Sequence, residues 1–129
     1  MLISVVDDDP VFQFLCKAYF THCAEDVTVV NFNNGELAWL HFKKLLHCPE
    51  EIPKLILVDI NMPNMNGWDL VDEMAKFDLL KNTHVYMVSS SISVSDREKS
   101  LAKPLVKDYL KKPLSITDFQ RIYQQAFAT

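Results

Sequence analysis

Leu55-Ile56-Leu57-Val58 is apolar at every position. A strand of that kind offers no side to water, and such strands belong to parallel sheets covered by helices on both faces. The rest of the chain agrees. Leu2–Val6, Val27–Phe32, His84–Val88 and Val106–Leu110 are strand-like, and amphipathic helical patterns lie between them. Asp9 and Pro10 cap and open a first helix, with Val11, Leu15, Ala18 and Tyr19 on one apolar face up to about Cys23. Asn33-Asn34-Gly35 turns into a second helix, where Ala38, Phe42, Leu45 and Leu46 share a side. A third follows Gly67, with Leu70, Val71, Met74 and Phe77 at helical spacing. Ser95 and Asp96 open a short polar fourth that ends before Pro104. Ser115 caps a fifth, with Ile116, Phe119, Ile122, Tyr123, Ala126 and Phe127 facing inward. The expectation is five βα units in one α/β domain spanning residues 1–129.

Composition narrows the chemistry. Two glycines, Gly35 and Gly67, are too few for a glycine-rich phosphate loop of either common type. A net charge of −4 disfavours a nucleic-acid surface and leaves protein partners open. Cys16, Cys23 and Cys48 lack disulfide or zinc spacing and read as reduced, mostly buried thiols. His22, His41, His47 and His84 are scattered and are not expected to bind metal. Met1 leads straight into a strand, so neither a signal peptide nor a membrane span is expected, and a cytoplasmic location is.

The strand ends carry the reactive residues. Asp7-Asp8-Asp9 follows the first strand, Asp59 the third, Ser89-Ser90-Ser91 the fourth and Lys111-Lys112-Pro113 the fifth. Open α/β sheets bind ligands at the carboxyl ends of their strands, at the point where strand order reverses. In the order 2-1-3-4-5, which right-handed crossovers permit, the first and third strands are neighbours, and Asp7, Asp8 and Asp59 converge. Carboxylates within about 5 Å repel strongly in a half-dry pocket. A hard divalent cation relieves that repulsion, and Mg²⁺ suits a few carboxylates, one carbonyl and several waters. With a lysine and a hydroxyl beside them, the outline is a metal-assisted phosphoryl site.

Val5-Val6-Asp7-Asp8-Asp9-Pro10, Asp59-x-Asn61-Met62-Pro63-x-Met65-x-Gly67, Met87-Val88-Ser89-Ser90 and Tyr109-Leu110-Lys111-Lys112-Pro113 together resemble the receiver domain of two-component response regulators. The resemblance spans essentially the whole chain. It implies a flavodoxin-like three-layer sandwich around a five-stranded parallel sheet, and at this length the stand-alone chemotaxis-type members without an output domain. It further implies that Asp59 accepts a phosphoryl group from a phosphohistidine. Asp8, Asp59 and the backbone carbonyl of Asn61 would ligate Mg²⁺, with Asp7 acting through a water. Lys112 would pair with Asp59 and then with the phosphoryl oxygens, and Ser89 would bond the same group. Tyr109 matches the aromatic switch position, and Pro113 the proline that follows a cis peptide. The partners implied are a histidine kinase or histidine phosphotransfer protein and an unknown downstream protein target. No nucleic acid and no membrane are implied, and the protein would be a monomer or weak dimer. The expected output surface is the fourth helix, fifth strand and fifth helix.

Some positions depart from that pattern. Ala102-Lys103-Pro104-Leu105 replaces the usual small-residue turn before the fifth strand, and Ser91 stands two residues past Ser89. An enzyme reading competes: Asp7-x-Asp9 also fits a haloacid-dehalogenase-type aspartyl phosphatase that would use Asp7. That class wants further acids on a late strand, where this chain has Lys111-Lys112-Pro113, and it leaves Asp59 without a role. A third reading, a degenerate receiver kept as a scaffold, sits poorly with the intact Asp8, Asp59, Ser89 and Lys112.

Overall fold

The computed structural model describes residues 1–80 and 82–127. Strands β1 (Leu2–Val6), β2 (Thr28–Phe32), β3 (Leu55–Asp59), β4 (His84–Ser89) and β5 (Val106–Lys111) alternate with helices α1 (Pro10–Cys23), α2 (Gly35–Leu45), α3 (Gly67–Met74), α4 (Val94–Leu101) and α5 (Ile116–Phe127). All pairings are parallel, in the order β2-β1-β3-β4-β5. The central strand β3 is buried along its whole length, as its unbroken apolar run requires.

Two cores follow from strand alternation. Ile3, Val5, Leu55, Leu57, Tyr86, Val88 and Leu110 face α1 and α5, where Phe12, Cys16, Phe20, Phe119 and Ile122 close the layer. Val6, Ile56, Val58, Val85 and Met87 face the opposite way onto Ala38 and Phe42 of α2 and Leu70, Val71 and Met74 of α3. Side chains capped the helices where the sequence has Asx and Ser residues: Asp9 accepts from the Val11 N–H (2.9 Å), Asn34 from Leu37 (2.9 Å) and Asn66 from Asp69 (2.9 Å).

Strand β5 breaks the alternation. Val85 pairs with Val106 and Tyr86 with Asp108, so Lys107 is an extra residue, a β-bulge. Val106 and Tyr109, three apart, therefore share the α2–α3 side, and Leu110 turns to the α1–α5 side.

Four expectations need correction. In α1 the buried residues are Phe12, Cys16 and Phe20, while Val11 and Leu15 are 65% and 44% exposed and Ala18 is exposed. Both stripes have helical spacing; the larger aromatic payload decides which one faces the sheet. Ile116 is likewise exposed, at the start of α5. The cap of α4 is Ser93, whose Oγ accepts from the Asp96 N–H (3.3 Å), so the helix begins at Val94, one residue before Ser95. Of the cysteines only Cys16 is buried.

Candidate phosphoacceptor site

Four adjacent strand ends build one site. Val6 pairs with Val58 and Asp59 with Val88, which sets Asp7 beside Asp59 and Asp59 beside the end of β4. The ladder runs one step past β5, where the Lys112 N–H donates to the Ser89 carbonyl (2.8 Å). Carboxylate oxygens of Asp7, Asp8 and Asp59 all lie within 4.8 Å of one another. Asp7 is completely buried, Asp59 is 8% exposed, and Asp8 is open to solvent.

The electrostatics of this pocket are strained. Burial pushes Asp59 up to about 6, the charge of Asp7 pushes the same way, and the Lys112 ammonium opposes them. Asp7 is also raised, chiefly by burial, against the pull of Lys112 and of the Asp9 N–H. That N–H donates to Asp7 Oδ1 (2.9 Å), whereas Oδ2 makes no hydrogen bond among the described residues. The compensation of Oδ2 is ionic: Lys112 Nζ is in ion-pair contact with it and stands 3.8 Å from Asp59 Oδ2. The ammonium also sits 4.7 Å above the ring of Phe12, a cation–π contact on the α1 side. A buried, under-bonded carboxylate beside two others is the donor set of a hard divalent cation, and the three acids fit one.

On the other side of the sheet, Ser89 is 1% exposed, and its Oγ accepts from the Ser91 N–H (3.0 Å). Tyr109 is buried, and its hydroxyl donates to the Ser91 carbonyl (2.9 Å). Asn61 is exposed in the loop after β3. In that loop Asn64 has φ 71°, a left-handed conformation that Asn tolerates better than most residues. The Lys112–Pro113 peptide is cis.

The family model for the response regulator receiver domain matches residues 3–124. The chain belongs to that family. The receiver fold is shared with a two-component response regulator from Cytophaga hutchinsonii, at a TM-score of 0.84 and 28% identity, covering 99% of this chain and 97% of that one. A response regulator receiver protein from Dyadobacter fermentans superposes with a TM-score of 0.81 at 25% identity, covering 100% of this receiver and 99% of the other. Among curated relatives, the rice two-component response regulator-like protein PRR37 is 26% identical over 97% of this chain. The sensor histidine kinase CheAY of Helicobacter pylori is 32% identical over 69%. The receiver spans only 16% of the rice protein and 10% of the Helicobacter one.

These matches give the phosphatase reading no support, and the geometry opposes it: Asp7, its required nucleophile, is completely shut off from solvent. The structure brings Asp7, Asp8, Asp59 and Lys112 together on the α1 side. The expected Lys112–Asp59 pair is present at 3.8 Å, and Lys112 makes a second, closer contact with Asp7. The reason is depth: Asp7 is the more buried acid and the one lacking hydrogen bonds at Oδ2. Phe12 beneath Lys112 was legible only as an aromatic in α1. Lys111 falls on the opposite face, beside Ser91, Ile92, Arg97 and Tyr109. Among the described residues no helix is long and apolar enough to cross a membrane.

Proposed function

We propose that this receiver is the phosphoacceptor of a phosphorelay, with Asp59 as nucleophile. One observation carries the assignment: three carboxylates within 4.8 Å of one another meet a lysine at the ends of neighbouring strands. An Asp59 oxygen attacks phosphorus, the P–N bond of a donor phosphohistidine breaks, and the imidazole leaves as an acyl phosphate forms. Such transfer is mostly positioning plus neutralisation of charge on the equatorial oxygens. Asp7 and Asp8, with Asp59 and the Asn61 carbonyl, would hold Mg²⁺, which supplies charge neutralisation at the phosphoryl oxygens when bound. Lys112 is the second cation, already within 3.8 Å of Asp59. Ser89 is the neutral donor, freed for that task once its Oγ turns from the Ser91 N–H.

The donor is a histidine kinase or phosphotransfer protein. Supporting this, a groove of about 320 Å³ opens beside Lys112, walled by Val11, Phe12, Leu15, Pro113, Leu114 and Phe119. It provides an apolar seat for a protein donor at the mouth of the site. Phosphorylation adds charge and acceptor oxygens at Asp59, drawing in Ser89 and Lys112. Ser91 links Ser89 to Tyr109, so the α4-β5-α5 face is the output surface toward a protein target. The protein works in the cytoplasm as a monomer or weak dimer, with no turnover beyond its own phosphorylation and dephosphorylation.

Incubation with Mg²⁺ and acetyl phosphate, followed by mass spectrometry of the trapped acyl phosphate, tests the reading. Label on Asp59 supports it. Label on Asp7, or none, overturns it.

A further inference from the structure

Gln13 lies in the first turns of α1, one residue beyond Phe12, and takes no part in the chemistry above. Its side chain is nevertheless committed to the site. Gln13 Nε2 donates to the backbone carbonyl of Asp7 and to Asn33 Oδ1 (2.9 Å). The first acceptor belongs to the acidic loop that leaves β1, the second to the turn that leaves β2. The same loop is held by two backbone–backbone bonds, Asp7 N–H to Phe32 carbonyl (2.9 Å) and Gln13 N–H to Asp9 carbonyl (3.0 Å), and by the Asp9 N–H donating to Asp7 Oδ1 (2.9 Å). Among the described residues, only the Gln13 side-chain amide reaches both β-strand exits from the helix. It therefore sets how far Asp7 and Asp8 project toward Asp59.

We propose that Gln13 is a positioning residue for the divalent-cation site, holding the Asp7-Asp8 loop in the geometry that brings the three carboxylates together. The proposal rests on the reading that these acids bind a divalent cation. Its mechanism is donation of N–H to two oxygens, not charge. Crowded carboxylates push the loop outward, and a neutral two-donor clamp resists that push without adding a competing cation. Groups of this kind, one bond removed from the metal ligands, commonly change metal affinity by about 10–100-fold when lost.

Charge and positioning make opposite predictions for one substitution. Gln13→Glu keeps the shape but replaces the donors with a carboxylate facing two oxygens. By charge alone it tightens cation binding several-fold; by lost positioning it weakens it. Mn²⁺ binding to the full chain, followed by electron paramagnetic resonance of free Mn²⁺, reads the difference directly. Circular dichroism establishes that each variant is folded. Gln13→Ala and Gln13→Glu are each expected to weaken Mn²⁺ binding about tenfold. Gln13→Arg, whose guanidinium offers N–H groups to both oxygens but adds a positive charge, is expected to weaken binding by only about threefold, less than either other variant. If Gln13→Ala does not fold, the Glu and Arg variants decide. Binding by Gln13→Glu as tight as native, or tighter, overturns the proposal. Failure of the native chain itself to bind Mn²⁺ overturns instead the cation-site reading on which it stands.

Discussion

The ammonium of Lys112 rests on Asp7, a carboxylate with no exposure to solvent, and reaches Asp59 only at 3.8 Å. One lysine thus serves two acids, and its nearer partner is not the proposed nucleophile. Lys112→Ala in EDTA leaves two buried carboxylates without a cation, and removing one partner of a buried pair costs about 3–5 kcal/mol. Partial protonation of the acids at neutral pH reduces that, so a loss of about 2–3 kcal/mol in urea unfolding is expected. Millimolar Mg²⁺ restores part of it by mass action. Some labelling by acetyl phosphate survives, but it no longer alters partner binding. Lys111→Ala, on the far face of the sheet, changes neither; equal defects from the two lysines would show that the wrong one has been assigned.

Phosphoryl acceptance is expected to require Asp59 and a metal. Asp59→Asn abolishes label from acetyl phosphate, and Asp8→Asn weakens Mg²⁺ binding while removing one of three repelling charges. In EDTA the Asp8→Asn protein is more stable than native by about 1 kcal/mol, the low end for neutralising a neighbouring carboxylate because Asp8 is exposed. Full labelling of Asp59→Asn refutes the nucleophile; a thermal shift absent at millimolar Mg²⁺ refutes the cation.

The elevated Asp59 couples stability to pH. Its carboxyl titrates near 6 in the fold, against an ordinary value of 3.8. Between those values the native state holds more protons than the unfolded chain, so stability falls as pH rises. In EDTA this group contributes a decline of roughly 2 kcal/mol from pH 4 to pH 7, at 1.36 kcal/mol per unit. Asp7 is shifted in the same direction and adds to it. Asp59→Asn flattens the profile, and so does saturating Mg²⁺, which favours the ionised acids. A metal-free profile that rises across this window contradicts the assignment.

Tyr109 is expected to hold the resting state. Its hydroxyl bond to the Ser91 carbonyl ties the buried ring to the loop that also caps Ser89. Tyr109→Phe removes that bond at a cost of about 1 kcal/mol and makes the output face easier to shift. Amide spectra of the Mg²⁺-loaded chain with and without beryllofluoride, a phosphoryl mimic, supply the readout. A full 1:99 to 99:1 swing needs about 5.5 kcal/mol of differential stabilisation. Two charge-assisted contacts supply about half of that, so a partial shift is expected, larger in Tyr109→Phe. Silence across residues 92–104 and 106–110 in both proteins removes this face from the mechanism.

Strand order and the convergence of Asp7, Asp8 and Asp59 were legible because β1 and β3 are runs whose burial is unambiguous, whereas Lys112 was placed by the motif that ends β5. The faces of α1 were not. Apolar residues at 11, 12, 14, 15, 16, 18, 19 and 20 support two stripes one residue apart, and only packing against Tyr86, Phe119 and Tyr123 selects Phe12, Cys16 and Phe20. The bulge at Lys107 was hidden for a different reason. Simple alternation from Val106 puts Tyr109 on the α1 side and Lys112 on the other, and the extra residue reverses both. Gln13 was silent because its amide serves one main-chain oxygen and one loop side chain, and no sequence motif reports either acceptor.

The two glycines in the chain stand at the first positions of α2 and α3, and both press on the loop around the acceptor. A Cβ on Gly67 would lie 2.2 Å from the Asp59 carbonyl oxygen, and one on Gly35 would lie 2.4 Å from that of Met65. Neither has a positive φ, so the demand is for space alone. Two helix ends thus wedge the main chain between Asp59 and Gly67 like the abutments of an arch. Backbone so braced has little room to yield when a phosphoryl group arrives. On the proposed reading, a phosphoryl group on Asp59 is expected to act through rotating side chains past a stationary frame, on the unbraced side where β4 opens toward Ser91.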